Sequence, residues 1–151
     1  MDTDSLYQAR ILDHFRNPRN QRAPGPEDHP VDGFNPACGD KILLGGTREG
    51  DTVREIHYQA HGCALSVASA SMLSEACAGL SAGEIKSLQV RVVAMLTSPD
   101  ATEELSGDLR SLISLRRFPM RHKCALLPWR AVLDWLALAE QSDGKSPPSG
   151  S

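Results

Sequence analysis

No stretch of the 151-residue chain is apolar enough, for long enough, to cross a bilayer, which takes about 20 consecutive apolar residues. Aromatic side chains are scarce at 5%, and no basic excess is present: sixteen Lys and Arg stand against nineteen Asp and Glu, a formal net charge of -3. No global positive field therefore recommends nucleic acid or an anionic membrane as partner. The opening MDTDSLYQAR carries two acids and lacks the charged-then-apolar layout of a secretory leader. The expectation is a cytoplasmic protein with neither membrane nor nucleic acid among its partners. Four cysteines in a cytoplasmic chain of this size read as reduced thiols, metal ligands or catalysts rather than as a disulfide framework. What is present, 40% hydrophobic and 23% charged residues, is the ordinary balance of a globular domain long enough to bury a core without staples.

Residues 4 to 17 place Leu6, Tyr7, Arg10, Ile11, His14 and Phe15 on one helical face, with Asp4 as N-cap and Pro18 beyond the end. From Pro18 to Pro36, Pro24, Pro26, Pro30, Gly25 and Gly33 predict a long surface loop with brief extended pieces at most. KILLGGTREGDTVREIHYQAHG reads as a hairpin, turning near Glu49, Gly50 and Asp51, whose return strand carries Val53 and sends Ile56, Tyr58 and Ala60 inward. An Ala/Ser-rich helix follows Cys63 and stops at Gly79. Further helical patterns cover 82–97 and 101–117, divided by the breaker Ser98, Pro99, Asp100. Pro119 is predicted to end the second, and a last helix to begin after Cys124 with Pro128 in its first turn. A small antiparallel sheet of about three strands packed against about five helices is an α+β architecture. Residues 1–140 form one domain in this reading, and the polar, Pro- and Gly-rich tail 141–151 is disordered.

Three cysteines sit where the chain turns. Cys38 lies in NPACGD, where Pro36 and Gly39 tighten the turn and Asp40 offers a carboxylate beside the thiol. Cys63 follows Gly62 at the end of the return strand, and Cys124 precedes the last helix. Both would then lie at helix N-termini, where free amides and partial positive charge favour the thiolate. Three thiolates and a carboxylate suit tetrahedral zinc better than magnesium or calcium, which prefer all-oxygen surroundings. Cys38, Asp40, Cys63 and Cys124 are the predicted ligands, on context rather than spacing, since intervals of 25 and 61 residues match no zinc finger. A site so rich in anions needs cations nearby. Arg110, Arg116, Arg117, Arg121, Lys123 and Arg130 supply them, with no acid between Leu109 and Leu133. Cys77, inside the Ala/Ser helix, reads as core filler. His14, His29 and His57 read as surface or core-edge residues, and His61 and His122, each two positions from a cysteine, as neighbours of ligands. The residues alone leave two roles open: a closed zinc site that stabilises folding, or a working site in which the harder, more easily displaced carboxylate gives way.

NPACGDKI, HGCALSVASASMLSE and RFPMRHKCALLPW resemble the corresponding segments of the IscU-like iron-sulfur scaffold family, and within it the SufU branch. The resemblance runs from the first helix to the last, beginning with YQARILDHFRNPRN. It implies a zinc protein that accepts persulfide sulfur from a SufS-type, pyridoxal-phosphate cysteine desulfurase and activates it, a sulfurtransferase of iron-sulfur cluster assembly whose further partners are downstream assembly proteins. It implies Cys38, Asp40, Cys63 and Cys124 as metal ligands, Cys38 as the sulfur acceptor and Arg121 as an auxiliary residue. The alternative is a scaffold on which a nascent iron-sulfur cluster is built, with iron or the cluster in place of zinc. Lys123 stands where classical scaffolds carry His, RFPMRHK stands where they offer LPPVK to a chaperone, and the interval from Cys63 to Cys124 is longer than theirs. These departures favour the zinc branch.

Overall fold

A computed structural model describes residues 3–98, 105 and 107–142, with side chains through 138 in the last helix. The described elements run α1 (Thr3–Arg16), a 3-10 turn (Pro26–Asp28), β1 (Val31–Asn35), β2 (Asp40–Glu49), β3 (Thr52–His61), α2 (Ala64–Ala76), α3 (Ala82–Thr97), a nine-residue 3-10 helix (Gly107–Leu115) and α4 (Pro119–Ser142). The strands form one antiparallel sheet in the order β1-β2-β3, so the α+β expectation holds. No helix among the described residues is long and apolar enough to cross a membrane.

The hairpin forms as the alternation predicts, with one irregularity. Thr47 pairs with Glu55 but Arg48 pairs with Val53, leaving Arg54 as an extra residue. This bulge re-phases the strand, so that Val53 and Ile56, three positions apart, both point into the core along with Tyr58 and Ala60.

α2 and α4 lie against the sheet, and α1 packs behind α2 with the long 3-10 helix. Nine consecutive residues of α2, Ser66 to Ser74, are buried. A helix enclosed on all sides must satisfy its polar groups internally, and each of its serines does. Ser69 donates to the Ala125 carbonyl, Ser71 bonds the His14 ring and receives the Arg19 amide, and Ser74 bonds the carbonyls of Arg19 and Ser71. The core's bulk comes from α4: Trp129 and Trp135 are both fully buried, their indole N–H groups bonded to the Ser69 hydroxyl and the Asp28 carbonyl.

Four expectations need correction. The segment 18–36 is not only loop, because Val31 to Asn35 pair with Leu44 to Asp40 as a third strand. Gly33 has no side chain to collide with Ile42 and Leu127, which lets α4 lie across that strand. Second, the last helix starts at Pro119, which opens it at the position where a fixed φ and a missing N–H cost nothing. Pro128 therefore lies inside the helix, and Cys124 in its second turn rather than at its N-terminus. Third, of the helix expected over 101–117, residues 107–115 are 3-10, while 99–104 and 106 lie outside the described residues, as does the tail beyond 142. Fourth, His14 is fully buried. Its Nδ1 lies 2.7 Å from the Ser71 hydroxyl and its Nε2 2.6 Å from Asp108, which also receives Arg10 at 2.6 Å.

That arrangement carries a pH signature. The bond from His14, then that from Arg10, holds the Asp108 carboxyl below its ordinary value, against burial pushing the other way. A carboxylate so depressed stabilises the fold fully above its unfolded-state pKa near 3.9, and the stabilisation is lost as pH falls through the lower folded value. The stability gap between wild type and Asp108→Asn is expected to persist down to about pH 4 and to close below it. Urea titrations over a pH series measure this, and a gap that widened on acidification would contradict it.

Candidate metal centre

The start of β2 and the end of β3 meet because the strands are antiparallel, with Lys41 opposite His61. Asp40 and Cys63 are thereby neighbours. The Cys63 amide donates to Asp40 Oδ1 at 2.7 Å, and the Ser66 hydroxyl lies 3.0 Å from Oδ2. Gly62 makes the approach feasible: its φ is +118°, and a Cβ there would stand 2.3 Å from Asp40 Oδ1. Cys63 is the N-cap of α2, its sulfur accepting from the Leu65 amide at 3.4 Å, as the helix-start reading expected.

Cys38 is presented by a turn that Asn35 organises. The Asn35 carbonyl accepts from the amides of Cys38 (3.3 Å) and Gly39 (2.8 Å). Its side-chain oxygen takes the Ala37 amide at 3.2 Å, and its side-chain NH₂ reaches the Cys38 sulfur at 3.6 Å. Cys124 arrives from α4, placing its sulfur 3.3 Å from that of Cys38. The Cys38, Asp40 and Cys124 donor atoms all lie within 4.8 Å of one another. Cys63 is not part of that mutual set, and the Arg121 guanidinium lies 3.8 Å from its sulfur.

These residues fit a zinc ion. Thiolates held about 2.3 Å from a tetrahedral ion stand about 3.8 Å apart, close to the observed sulfur separation. Asp40 is fully buried and makes no ion pair among the described residues, an arrangement that is costly unless a cation compensates it. Burial, then the Cys38 thiol and the Asp40 carboxyl, pushes the Cys124 thiol well up, so a thiolate at this depth needs a positive partner, and a metal ion deprotonates a coordinating thiol outright.

The other candidates separate cleanly. His122 directs Nε2 at the carbonyls of Leu115 and Arg116, 3.0 and 3.1 Å away, and so secures the preceding helix end. His61 is exposed at the end of β3. Of the basic run, Arg116 bonds the Met95 carbonyl and Arg117 pairs with Asp4, whereas Arg121 and Lys123, three positions and one position before Cys124, are exposed. Two residues of the site went unnoticed in the sequence. Asn35 was findable as the first residue of an Asn-Pro turn, a position where its side chain mimics a backbone acceptor. Ser66 had no local signal beyond lying one helical turn after Cys63.

Cys77 is fully buried, and burial pushes its thiol up to about 12. Alkylation of the metal-free native protein at neutral pH is expected to label exposed Cys38 first and to leave Cys77 untouched until denaturant is added. Mass spectrometry of the labelled peptides checks the order.

The chain as a whole is similar to known proteins. The family profile described as the NifU-like N-terminal domain matches residues 6–125. The zinc-dependent sulfurtransferase SufU of Bacillus subtilis is 35% identical over 138 residues, covering 91% of this chain and 93% of that protein. The iron-sulfur cluster assembly scaffold protein IscU of Streptococcus pyogenes is 33% identical over 130 residues, 84% of this chain and 80% of its own. Among solved structures, an iron-sulfur cluster assembly scaffold protein for the SUF system from Fervidobacterium islandicum superposes with a TM-score of 0.79 at 26% identity, covering 89% of this chain and 99% of that one.

Proposed function

The chain belongs to the family of NifU-like N-terminal domains, and on that footing we propose that it is a zinc-dependent sulfur acceptor of iron-sulfur cluster assembly, taking persulfide sulfur from a SufS-type cysteine desulfurase and activating that enzyme in the cytoplasm. Its likeness to the Bacillus sulfurtransferase supports the reading. The observation that carries it is an asymmetry in the site: Cys38 is exposed, while Asp40 and Cys124 beside it are buried. A donor set that served folding alone would gain nothing from leaving one thiol open to a partner.

Zinc, held by Cys38, Asp40, Cys63 and Cys124, would supply stored thiolates at neutral pH. The residues then divide the work. The Cys38 thiolate attacks the outer sulfur of a partner persulfide, a new S–S bond forms at Cys38, the partner's S–S bond breaks, and the partner cysteine leaves as a thiolate. Asp40, Cys63 and Cys124 are the donors that stay in place. Arg121, whose guanidinium already faces the Cys63 sulfur, would steady the anionic sulfur. The exposed rim contributes to docking. Met120, next to Arg121 in sequence, is 87% exposed, and exposed Arg121 and Lys123 add positive charge for an acidic partner surface.

The decisive experiment is elemental analysis of the aerobically purified protein together with the desulfurase's alanine production with and without it. About one tightly held zinc and a faster desulfurase are expected, with the stimulation weakening as salt rises. Iron with sulfide and no stimulation would favour the cluster scaffold instead, and zinc without stimulation a purely structural centre.

A further inference from the structure

Ser66 is fully buried on the first turn of α2, and its hydroxyl lies 3.0 Å from two acceptors, Asp40 Oδ2 and the Cys124 carbonyl, with a single proton shared between them. Both acceptors belong to candidate ligand residues, one from the sheet and one from the last helix. The second acceptor is available for a chemical reason. In an α-helix the Cys124 carbonyl would receive the N–H of residue 128, but residue 128 is proline and has none. α4 continues through Pro128 without ending, which leaves a buried carbonyl needing an outside donor, and Ser66 is the donor that reaches it.

The Asp40 carboxylate is equally dependent. Oδ1 is held by the Cys63 amide and Oδ2 by Ser66. Remove the hydroxyl and Oδ2 loses the donor that orients it.

We propose that Ser66 is a positioning residue of the metal centre. It fixes the orientation of the Asp40 carboxylate relative to Cys124, and thereby how tightly zinc is held. The proposal rests on the zinc reading above. It also differs from a packing role, because the same helix contains a comparison residue. Ser69, three positions later, donates to the next carbonyl, Ala125, at 2.6 Å and accepts from the Trp129 indole at 3.1 Å. It ties α2 to α4 as Ser66 does, but makes no hydrogen bond to Asp40 or to a cysteine.

The test is competition for zinc against a chromophoric chelator, using wild type, Ser66→Ala, Ser69→Ala and the double variant Ser66→Ala/Pro128→Ala, with urea unfolding of each metal-free protein alongside. Losing a hydrogen-bond partner of a metal ligand typically weakens metal affinity about 10–100-fold. That loss is expected for Ser66→Ala, while Ser69→Ala should hold zinc within about threefold of wild type even though both variants unfold more easily. The double variant restores an N–H to the Cys124 carbonyl, so it should regain stability and still hold zinc weakly, which keeps the test readable if the single variant folds poorly. Wild-type zinc affinity in Ser66→Ala or in the double variant, or an equal loss in Ser69→Ala, would overturn the proposal alone. A wild-type protein that bound no zinc would overturn it together with the proposed function.

Discussion

Cys38→Ala is expected to fold like the wild type and to accept no sulfur. Cys38 is exposed on a turn whose geometry depends on the Asn35 carbonyl and side chain, not on the thiol, so the substitution creates no cavity, and its cost to the metal-free fold should stay within about 0.5 kcal/mol. The chemistry has no such tolerance. Sulfur transfer needs a thiolate that a partner persulfide can approach; Cys124 and Cys77 are fully buried, and Cys63 is engaged by the Leu65 amide with Arg121 beside it. Intact-protein mass spectrometry after incubation with the desulfurase and cysteine should find the persulfide on wild type and none on the variant, and the desulfurase should run at its unassisted rate. Sulfur found on Cys63 of the variant would move the acceptor role there.

The second large effect is expected at Gly62. Alanine at this position meets two obstacles: a φ of +118° that L-residues rarely adopt, and a Cβ placed 2.3 Å from Asp40 Oδ1 and 2.9 Å from the Asp40 Cα. The first costs of order 1–3 kcal/mol. The second cannot be relieved by rotating a flexible side chain away, because the Asp40 backbone is itself in the path. Gly62→Ala should therefore lose both stability and zinc, the latter by at least about 10-fold as Asp40 is pushed off its hydrogen bonds. Gly39→Ala separates the two causes. Gly39 also has a positive φ, +75°, but a Cβ there has nothing within 4 Å, so it should show only the backbone cost, roughly 1–2 kcal/mol, with zinc largely retained. Denaturant titration and chelator competition on the two variants measure both quantities.

Much of this was legible from residue order. The hairpin, the bounds of α3 and the capping position of Cys63 follow from local chemistry: alternating apolar residues, a strong breaker, a thiol after a glycine at a strand end. The turn setting of Cys38 and Asp40 was legible in the same way, but Cys124 reaches them from the second turn of α4 rather than from a helix N-terminus, and nothing local told how near it or Cys63 would come. The errors cluster where one local rule has more than one outcome. A proline can end a helix, open one or lie inside one: Pro119 opens α4 and Pro128 lies within it, where the Ser66 hydroxyl donates from across the core to the Cys124 carbonyl that Pro128 leaves without its helical N–H. β1 is five residues, VDGFN, with a central glycine and little β-propensity of its own, and is a strand because β2 pairs with it. His14 shares its helix with exposed residues, and only the hydroxyl of Ser71 and the carboxylate of Asp108, far along the chain, make its burial tolerable.

The two sulfurs that lie 3.3 Å apart are 86 residues apart along the chain. At synthesis rates of about 5–20 residues per second, the first thiol is made roughly 4–17 s before its partner. The full donor set therefore exists only once Cys124 has been made. The two tryptophans of α4 follow Cys124 closely along the chain, so core closure and the arrival of Cys124 coincide, and the nascent chain passes through several seconds in which Cys38 waits without the partner thiol that would share an ion with it.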